Sequence, residues 1–401
     1  MAQLDGLIKE LCPNGVEYKK LSDVLTIRNG KDYKGFAEGS IPVYGSGGIM
    51  TYIDHFAYDK PSVLIPRKGS LDKLYYVDVP FWTVDTIFYT VIDTKIVEPK
   101  YIFYVLQKEH LEKLNKAGGV PSLTQAVISK VKIPVPPMPV QREIVRILDN
   151  FVELTAELTA ELTARKKQYE YYRDTLLTLD VHRGGTFETK WRTLGEICDI
   201  LTGYPFDSAQ FKKSGVRLMR GMNIKRGGLV FDESIDRYWE SSKGLEKYLL
   251  DAGDIVISMD GSLVGKSFGT VAKSDLPLLL VQRVARIRAV QANQRYVYHY
   301  ISCKFPHYVE LKKTKGAIPH ISQKDIANFQ IAIPDVEVQN KIAEVLDNFD
   351  AICSDLNIGL PAEIEARKKQ YEYYRDMLLT FAAADDIILT DRQTDRQTEH
   401  N

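Results

Sequence analysis

One segment of eleven residues occurs twice in this chain, and this duplication limits the possible folds more than any other feature. Ala-Arg-Lys-Lys-Gln-Tyr-Glu-Tyr-Tyr-Arg-Asp occupies residues 164–174 and returns unchanged at residues 366–376. Further matched positions lie before each copy: Gly118, Pro121, Gln125, Gln141 and 148–151 pair with Gly316, Pro319, Gln323, Gln339 and 346–349. The pattern predicts a tandem duplication with pseudo-twofold symmetry, in which each half holds a divergent block and then a nearly identical one.

The nearly identical blocks are typical of long helices. Residues 140–179 contain neither Gly nor Pro and are rich in residues that favour helix. Apolar residues recur at spacings of three or four, which predicts a helix of about 40 residues, about 60 Å long, with one apolar stripe. Two such helices most simply bury their stripes against each other as a coiled coil. The second copy is interrupted at Gly359–Pro361, where we expect a kink or a restart.

The divergent blocks predict compact α+β folds. Short apolar and β-branched runs bounded by Gly, Pro or Asp predict strands at Ser62–Pro66, Ile87–Ile92 and Ile255–Ser258. Helical periods are few, chiefly at 101–115 and 296–313. We therefore predict five segments: a first domain at 1–139, a first helix at 140–180, a second domain at 181–335, a second helix at 336–382, and a polar, disordered tail at 383–401.

Composition and motifs exclude several classes of protein. Lys and Arg number 53, as do Asp and Glu, so a uniformly basic nucleic-acid coat is excluded while local basic patches are not. The four cysteines lie far apart, which argues against a zinc module or a disulfide framework. No apolar run approaches the roughly 20 residues of a transmembrane helix, and the N-terminus lacks a secretory signal. We expect a cytoplasmic protein.

No motif for bond-making chemistry is present in the sequence. The nearest phosphate-loop candidate, residues 261–267, is one residue short between its glycines. The sequence has no Asn-Pro-Pro-aromatic motif of adenine methyltransferases, and its seven histidines form no i, i+4 metal pair. We therefore expect no catalytic residues, no metal and no cofactor on this chain.

Within the first helix, Thr-Ala-Glu-Leu occurs twice in succession, at 155–158 and 159–162. Four residues are slightly more than one helical turn, so one copy adds about 6 Å of length and about 40° of rotation. Two interpretations stay open at this point. The tandem can be a spacer between two globular domains, or simply a good helix-forming sequence with Leu at i and i+4.

With these features the chain resembles the specificity (S) subunits of Type I restriction–modification systems, in particular the Type IC group. The resemblance covers the whole length and rests on the divergent blocks, the repeated segments and the Thr-Ala-Glu-Leu tandem. It implies two α+β target-recognition domains separated by a pair of long antiparallel helices. It also implies a non-catalytic subunit in which each domain recognises one half of an interrupted site in double-stranded DNA.

The resemblance also implies partners. The helical regions would set the gap between the half-sites and dock two methyltransferase (M) subunits, which bind S-adenosylmethionine and methylate adenine. Restriction (R) subunits would add ATP- and Mg-dependent translocation and cleavage. The alternative is a coiled-coil scaffold with two protein-binding modules and no DNA role; selection from random duplexes would discriminate the two.

DNA recognition needs cations for phosphates and amide, guanidinium or hydroxyl groups for base edges. A Gly-rich loop and a basic turn after the 62–66 strand supply these groups in the first block, and a turn after the 255–258 strand is the counterpart in the second. The candidates are Tyr44, Gly45, Ser46, Gly47, Arg67, Lys68, Ser70 and Lys73, with Ser262 and Lys266. An ordinary Gly-rich turn and a solvated hairpin are the alternatives.

A Gly-x-x-Pro turn precedes a helix in both halves, where backbone N–H groups could bind a phosphate. It contributes the candidates Gly119, Ser122, Thr124, Gly316, His320 and Ser322. Helix capping by Thr124 and Ser322 is the alternative. In the second block Arg220, Lys225 and Arg226 supply cations and Asn223 an amide suited to adenine, with a solvated turn as the alternative.

The repeated segment is nearly identical in both copies, whereas surfaces that recognise unlike half-sites must differ. We therefore interpret the two copies as equivalent docking surfaces for two copies of one partner. The candidates are Arg165, Lys166, Tyr169, Tyr172 and Arg173 with Arg367, Lys368, Tyr371, Tyr374 and Arg375. Intramolecular packing of the tyrosines in the coiled coil is the alternative.

Overall fold

Neither of the two units of this protein is a simple half of the sequence. A computed structural model describes residues 2–115, 121–178, 189–226, 228–312, 319–354 and 359–382. Unit 1 comprises Met1–Thr159 with Glu363–Asn401, and unit 2 comprises Ala160–Ala362. Each unit therefore takes one divergent block together with helical residues from both nearly identical blocks. The tail predicted at 383–401 lies outside the described residues.

Unit 1 contains a mixture of short strands and helices around one divergent block. Its strands are β1 (Tyr18–Lys20), β2 (Leu25–Asn29), β3 (Glu38–Gly45), β4 (Gly48–Ile53), β5 (Ser62–Pro66), β6 (Tyr75–Val77), β7 (Trp82–Thr83), β8 (Ile87–Ile92) and β9 (Lys132–Pro134). The helices of this half are α1 (Ala2–Leu11), α2 (Leu21–Val24), α3 (Pro99–Lys108), α4 (Gln125–Ile128) and α5 (Met138–Thr178). The boundary between the units falls inside α5.

The second half of the chain repeats most of this order, with one added β-hairpin and, among the described residues, no counterpart of α1. Its strands are β10 (Lys190–Thr193), β11 (Cys198–Thr202), β12 (Val216–Met219), β13 (Ile224–Lys225), β14 (Gly228–Leu229), β15 (Tyr238–Trp239), β16 (Ile255–Ser258), β17 (Phe268–Thr270), β18 (Leu278–Leu280), β19 (Val284–Ala289) and β20 (Gln330–Ile333). Its helices are α6 (Leu194–Ile197), α7 (Gln294–Lys312), α8 (Gln323–Ala327), α9 (Val336–Ser354) and α10 (Leu360–Leu378).

The two divergent blocks share one sheet topology. Each has a four-stranded antiparallel sheet, in the order β2-β8-β5-β6 in unit 1 and β11-β19-β16-β17 in unit 2. Each also has a three-stranded sheet with one parallel pair, in the orders β4-β3-β7 and β15-β12-β18. A two-stranded ladder, β1-β9 or β10-β20, precedes the long helix. The duplication therefore extends through blocks whose sequences have diverged.

The central strands are buried because their sequences are apolar on both faces. Every residue of β5 and of β16 is buried, and the helices α3 and α7 pack over these strands in the cores of their units. A continuous apolar run of four to eight residues predicts such a strand. The strands predicted at 62–66, 87–92 and 255–258 are confirmed.

A buried glutamine fixes the start of the long helix on each unit. The Gln141 side chain is fully buried, accepts from the Glu98 N–H at 2.8 Å and donates to the Pro136 carbonyl at 2.7 Å. Its counterpart Gln339 accepts from the Asn293 N–H at 2.9 Å and donates to the Pro334 carbonyl at 2.7 Å. Leaving such a buried amide without hydrogen-bond partners would lower the free energy of unfolding by about 1–3 kcal/mol. The start of each long helix is therefore held in place on its domain.

The apolar stripe of each repeated helix is buried inside its unit where the helix leaves the domain. In unit 1, Tyr374 of α10 stacks on Phe151 of α5, with ring centroids 5.2 Å apart. Leu378, which follows Tyr374, and Leu148, which precedes Phe151, both lie in the core of this unit. The predicted interruption is confirmed, because α10 begins at Leu360 with Pro361 in its first turn.

Unit 2 repeats this packing with the roles of the copies exchanged. Tyr172 of α5 stacks on Phe349 of α9, with ring centroids 5.6 Å apart. Leu177, which follows Tyr172, lies in the core with Leu346, which precedes Phe349. In each unit the helix that begins on the domain is therefore covered by the repeated segment of the other copy.

In each unit a carboxylate on the long helix that begins on the domain is hydrogen-bonded to the neighbouring helix, α3 in unit 1 and α7 in unit 2. In unit 1, Asp149 accepts from Lys100 Nζ at 2.8 Å and from Tyr104 Oη at 2.5 Å. In unit 2, Asp347 lies 2.7 Å from His299 Nε2 and accepts from Arg295 at 2.5 Å. Burial alone would raise the pKa of Asp347, but the bonds from His299 and Arg295 outweigh it and lower the pKa to about 2.

Replacement of Asp347 by Asn should destabilise unit 2 in a pH-dependent manner. The pKa of Asp347 is lower in the folded state, so its contribution is complete above about pH 4 and is lost as the pH falls towards 2. The carboxylate is partly exposed, so after allowance for solvent screening we expect about 1–2 kcal/mol at neutral pH. Urea unfolding of parent and D347N at pH 6 and pH 2 measures the difference. A difference that stays constant over this range, or equals that of the exposed D335N control, would contradict this assignment.

Candidate nucleic-acid interface

Two segments that the sequence singled out separately lie together in unit 1. The turn after β5 pairs with the segment before α4 through an isolated bridge between Lys68 and Ser122. The Gly69 N–H donates to the Pro121 carbonyl at 3.3 Å, and the Leu123 N–H donates to the Arg67 carbonyl at 2.9 Å. We call this arrangement the paired turn of unit 1, residues 67–70 with 121–123.

Unit 2 has the same arrangement at the corresponding positions. Asp260 forms an isolated bridge with His320, and the Gly261 N–H donates to the Pro319 carbonyl at 3.0 Å. The paired turn of unit 2 comprises residues 259–262 with 319–321. Gly69 and Gly261 both have a positive φ, +82° and +97°, a backbone conformation that residues with a Cβ rarely adopt. One backbone frame therefore carries different side chains in the two units.

The Gly-rich loop of the first block borders the paired turn of unit 1. Arg67 and Lys68 both donate their backbone N–H groups to the Thr86 carbonyl, and the Ser46 N–H donates to Thr86 Oγ1 at 3.3 Å. Tyr44 packs against the Tyr75 ring and is partly buried. Gly45 is buried and Gly47 is exposed. Six of the predicted residues thus lie within one small region.

The cations of this region differ in their exposure. Arg67 lies over the Phe88 ring at 5.8 Å and is half-buried, whereas Lys68 and Lys73 are exposed. Ser70 is half-buried and its carbonyl accepts from the Lys73 N–H. The two exposed ammonium groups are suited to phosphates.

Helix capping, one of the two interpretations of the Gly-x-x-Pro turn, is confirmed. Thr124 Oγ1 accepts from the Val127 N–H at 3.4 Å and Ser322 Oγ accepts from the Asp325 N–H at 3.1 Å. The helices that follow have only four and five residues, so their dipoles are too small to support the phosphate site expected there. Gly119 and Gly316, two further candidates, lie outside the described residues.

The paired turn of unit 2 is less basic than that of unit 1. Asp260 occupies the position of Lys68, and its carboxylate contacts His320 Nδ1 and, at 3.4 Å, Arg283 Nε. Ser262 is exposed, and Lys266 forms an ion pair with Glu310 at 3.5 Å. Sequence reasoning missed Arg283. Alignment of β8 with β19 would have found it, because Arg283 then falls at the position of Thr86.

The structure corrects the expectation for Asn223. Its side chain is fully buried, donates to the Val230 carbonyl and to Asp236, and accepts from the Arg220 N–H at 3.2 Å. An amide whose bonds are made inside the fold cannot present them to adenine. Arg220 also faces inward, donating to the Ile235 carbonyl, while Lys225 and Arg226 are exposed.

The repeated segments have an inner and an outer face. On the inner face, Tyr371 donates to Gln107 at 2.7 Å and Tyr169 lies near His299. Tyr374 and Tyr172 form the stacks described above, although Tyr172 is still 39% exposed. Arg173 and Arg375 lie over the rings of Tyr169 and Tyr371. Arg165 and Arg367 pair with Glu161 and Glu363 on their own helices, and Lys166 and Lys368 are exposed. Packing inside the units therefore accounts for the inner residues.

Comparison with known proteins identifies the family. The model of the Type I restriction modification DNA specificity domain matches residues 13–165 and again residues 188–366. The chain belongs to this family. It is 33% identical over 311 residues to the specificity subunit of the Type I restriction enzyme EcoR124I/EcoR124II from Escherichia coli, covering 70% of each chain. It is 27% identical over 386 residues to a putative specificity subunit from Haemophilus influenzae, covering 92% of this chain and 96% of that one.

The specificity subunit fold is also found among solved structures. The crystal structure of a Type I restriction–modification S subunit from M. genitalium has a TM-score of 0.60 at 15% identity, covering 91% of this chain and 96% of that chain. The predicted fold class and the predicted non-catalytic, DNA-recognising role are therefore confirmed. Among the described residues there is no group of three or more potential metal ligands and no helix long and apolar enough to cross a membrane.

Replacement of Asn223 by Ala should destabilise unit 2 rather than change base selection. The substitution removes the amide that donates to Asp236 Oδ1 and to the Val230 carbonyl and accepts from the Arg220 N–H, which costs about 1–3 kcal/mol. The control, Lys225→Ala at an exposed position, should change the free energy of unfolding by no more than about 0.5 kcal/mol. Thermal unfolding of both variants provides the measurement. An N223A protein of unchanged stability that no longer prefers adenine would restore the original assignment.

Proposed function

We propose that this chain recognises a bipartite, interrupted DNA site, with the paired turn of each unit contacting one half-site. The observation that carries the proposal is the common backbone frame: it places corresponding turns in both units but equips them with unlike side chains. A duplicated protein that must recognise two different sequences needs this combination. The Thr-Ala-Glu-Leu tandem further favours membership of the Type IC group, and a subunit of this kind would act in the cytoplasm.

Phosphate binding and base recognition are assigned to different residues. In unit 1 the exposed Lys68 and Lys73 are suited to phosphates, and in unit 2 Lys225 and Arg226 fill this role. Because the chain has no net charge, we expect the isolated protein to bind DNA weakly and in a salt-sensitive manner. Specific binding then requires partners that add phosphate contacts of their own.

We assign the docking of two methyltransferase subunits to the outer face of the repeated segments. Packing explains why the inner tyrosines are the same in both copies, but it does not explain why the exposed residues are also the same in both copies. Tyr171 and Tyr373 occupy equivalent positions and are 67% and 66% exposed, next to the exposed Lys167 and Lys369. Identical exposed surfaces suit two copies of one partner. S-adenosylmethionine would be bound by these partners, and ATP and Mg by restriction subunits where present.

Replacement of Tyr171 and Tyr373 by Ala should weaken methyltransferase binding by roughly tenfold or more, since exposed aromatic anchors are frequent hot spots. The free energy of unfolding of this variant should change by no more than about 0.5 kcal/mol. The matched control, Tyr172→Ala with Tyr374→Ala, removes two aromatic stacks and should lower stability by roughly 1 kcal/mol or more per site. Titration calorimetry with the methyltransferase subunit measures the affinity. Undiminished binding by the Tyr171/Tyr373 variant would exclude this surface.

The assembled complex should select a two-part motif from random duplexes, and removal of Thr155–Leu158 should alter its gap. The tandem lies within the continuous helix α5, where Thr155 Oγ1 and Thr159 Oγ1 bond to carbonyls one turn back. Loss of about 6 Å of helix should shorten the gap by one or two base pairs, at about 3.4 Å per pair. Sequencing of the selected duplexes measures the motif. An unchanged gap would contradict the spacer role, and enrichment of no motif would favour a scaffold without DNA function.

A further inference from the structure

The two paired turns, together with the residue that accepts a backbone hydrogen bond from each, hold unlike side chains at three matching positions. The first position is Lys68 in unit 1 and Asp260 in unit 2, each in the isolated bridge. The second is Ser122 and His320, their bridge partners. The third is Thr86 and Arg283, whose carbonyls accept from the Arg67 and Met259 N–H groups, both at 2.9 Å. The difference between the half-sites should therefore originate at these positions.

Arg283 is presented in an unusual way. Its φ of +73° places a non-glycine residue in the left-handed region, which L side chains rarely adopt. Such strain concentrates where the surrounding structure and a function require it. The Arg283 side chain is 58% exposed, although the residue lies directly before the buried strand β19. Its guanidinium is thus accessible at the paired turn.

Asp260 forms an ion pair with this guanidinium. Its Oδ2 lies 3.4 Å from Arg283 Nε, while its Oδ1 contacts His320 Nδ1. The carboxylate itself is 29% exposed. A carboxylate at this position disfavours a nearby phosphate, because like charges repel. The site is therefore better suited to base edges than to the DNA backbone.

We propose that Arg283 recognises a guanine in the half-site contacted by unit 2, with Asp260 as its positioning residue. An arginine fork that is held in place can donate two parallel hydrogen bonds to guanine O6 and N7 in the major groove. Thr86 at the matching position of unit 1 cannot form this pair, so the guanine requirement belongs to one half-site. This inference rests on the proposed function and names the residue that gives one half-site its specificity.

The test uses the assembled complex of this chain with its methyltransferase partner and random duplexes. Arg283→Ala should reduce discrimination for guanine at one position roughly 5- to 150-fold, while the other half-site stays as in the parent. Arg283→Lys keeps the charge but loses the fork, so it should lose the preference while retaining most of the affinity. Asp260→Asn should weaken the preference at this same position. The control Lys273→Ala changes an exposed cation of unit 2 outside the paired turn and should leave the motif unchanged.

Arg283→Gly keeps the positive φ without a Cβ and so separates recognition from folding. It should lose the guanine preference as Arg283→Ala does, while its free energy of unfolding should be at least as large as that of Arg283→Ala, because glycine adopts this φ without strain. A motif identical to that of the parent in both variants would overturn the inference, as would an equal loss of affinity for all sequences, which is the behaviour of a phosphate contact. If the parent complex itself selects no two-part motif, the proposed function fails rather than this assignment.

Discussion

The structure depends on the contact between the start of each long helix and the repeated segment of the other copy. In unit 1, Phe151 stacks on Tyr374 of the repeated segment. In unit 2, Phe349 stacks on Tyr172. Aromatic stacks of this kind contribute about 0.5–1.5 kcal/mol beyond their buried area. The contact joins parts of the sequence more than 170 residues apart, and for this reason each unit contains helical residues from both copies.

The duplication has preserved positions while it has changed side chains. The buried glutamines are the same in both units, because each must satisfy the carbonyl and amide groups at the start of a helix. The carboxylates Asp149 and Asp347 are also kept, but Lys100 and Tyr104 are replaced by Arg295 and His299. The paired turns keep their backbone frame but carry unlike side chains, as recognition of two unlike half-sites requires.

Much of the fold could be predicted from the sequence, because it is expressed in local periodicity and in repetition. The buried strands, the 41-residue helix and the restart at Leu360 follow from apolar runs, from the lack of Gly and Pro, and from Pro361. The site was predicted less well. Lys68 and Ser122 were both singled out, but their pairing needs a backbone ladder between segments 54 residues apart. Asn223 was misassigned because its buried partner Asp236 is 13 residues away, and Arg283 was missed because its exposure depends on one left-handed residue.

The division of the chain also affects how it is made. Unit 2 is continuous in sequence, so all of its residues are present in the nascent chain once residue 362 has been synthesised. Unit 1 begins earlier but lacks its closing helix until α10 has emerged, and the Val16 N–H finds its acceptor only at the Ala382 carbonyl. Domains usually fold in the order of synthesis, from the N-terminus onward. In this protein the first unit to be translated is the last that can be completed. Until α10 has been synthesised, the apolar stripe of α5 that α10 covers stays exposed and must be protected from aggregation.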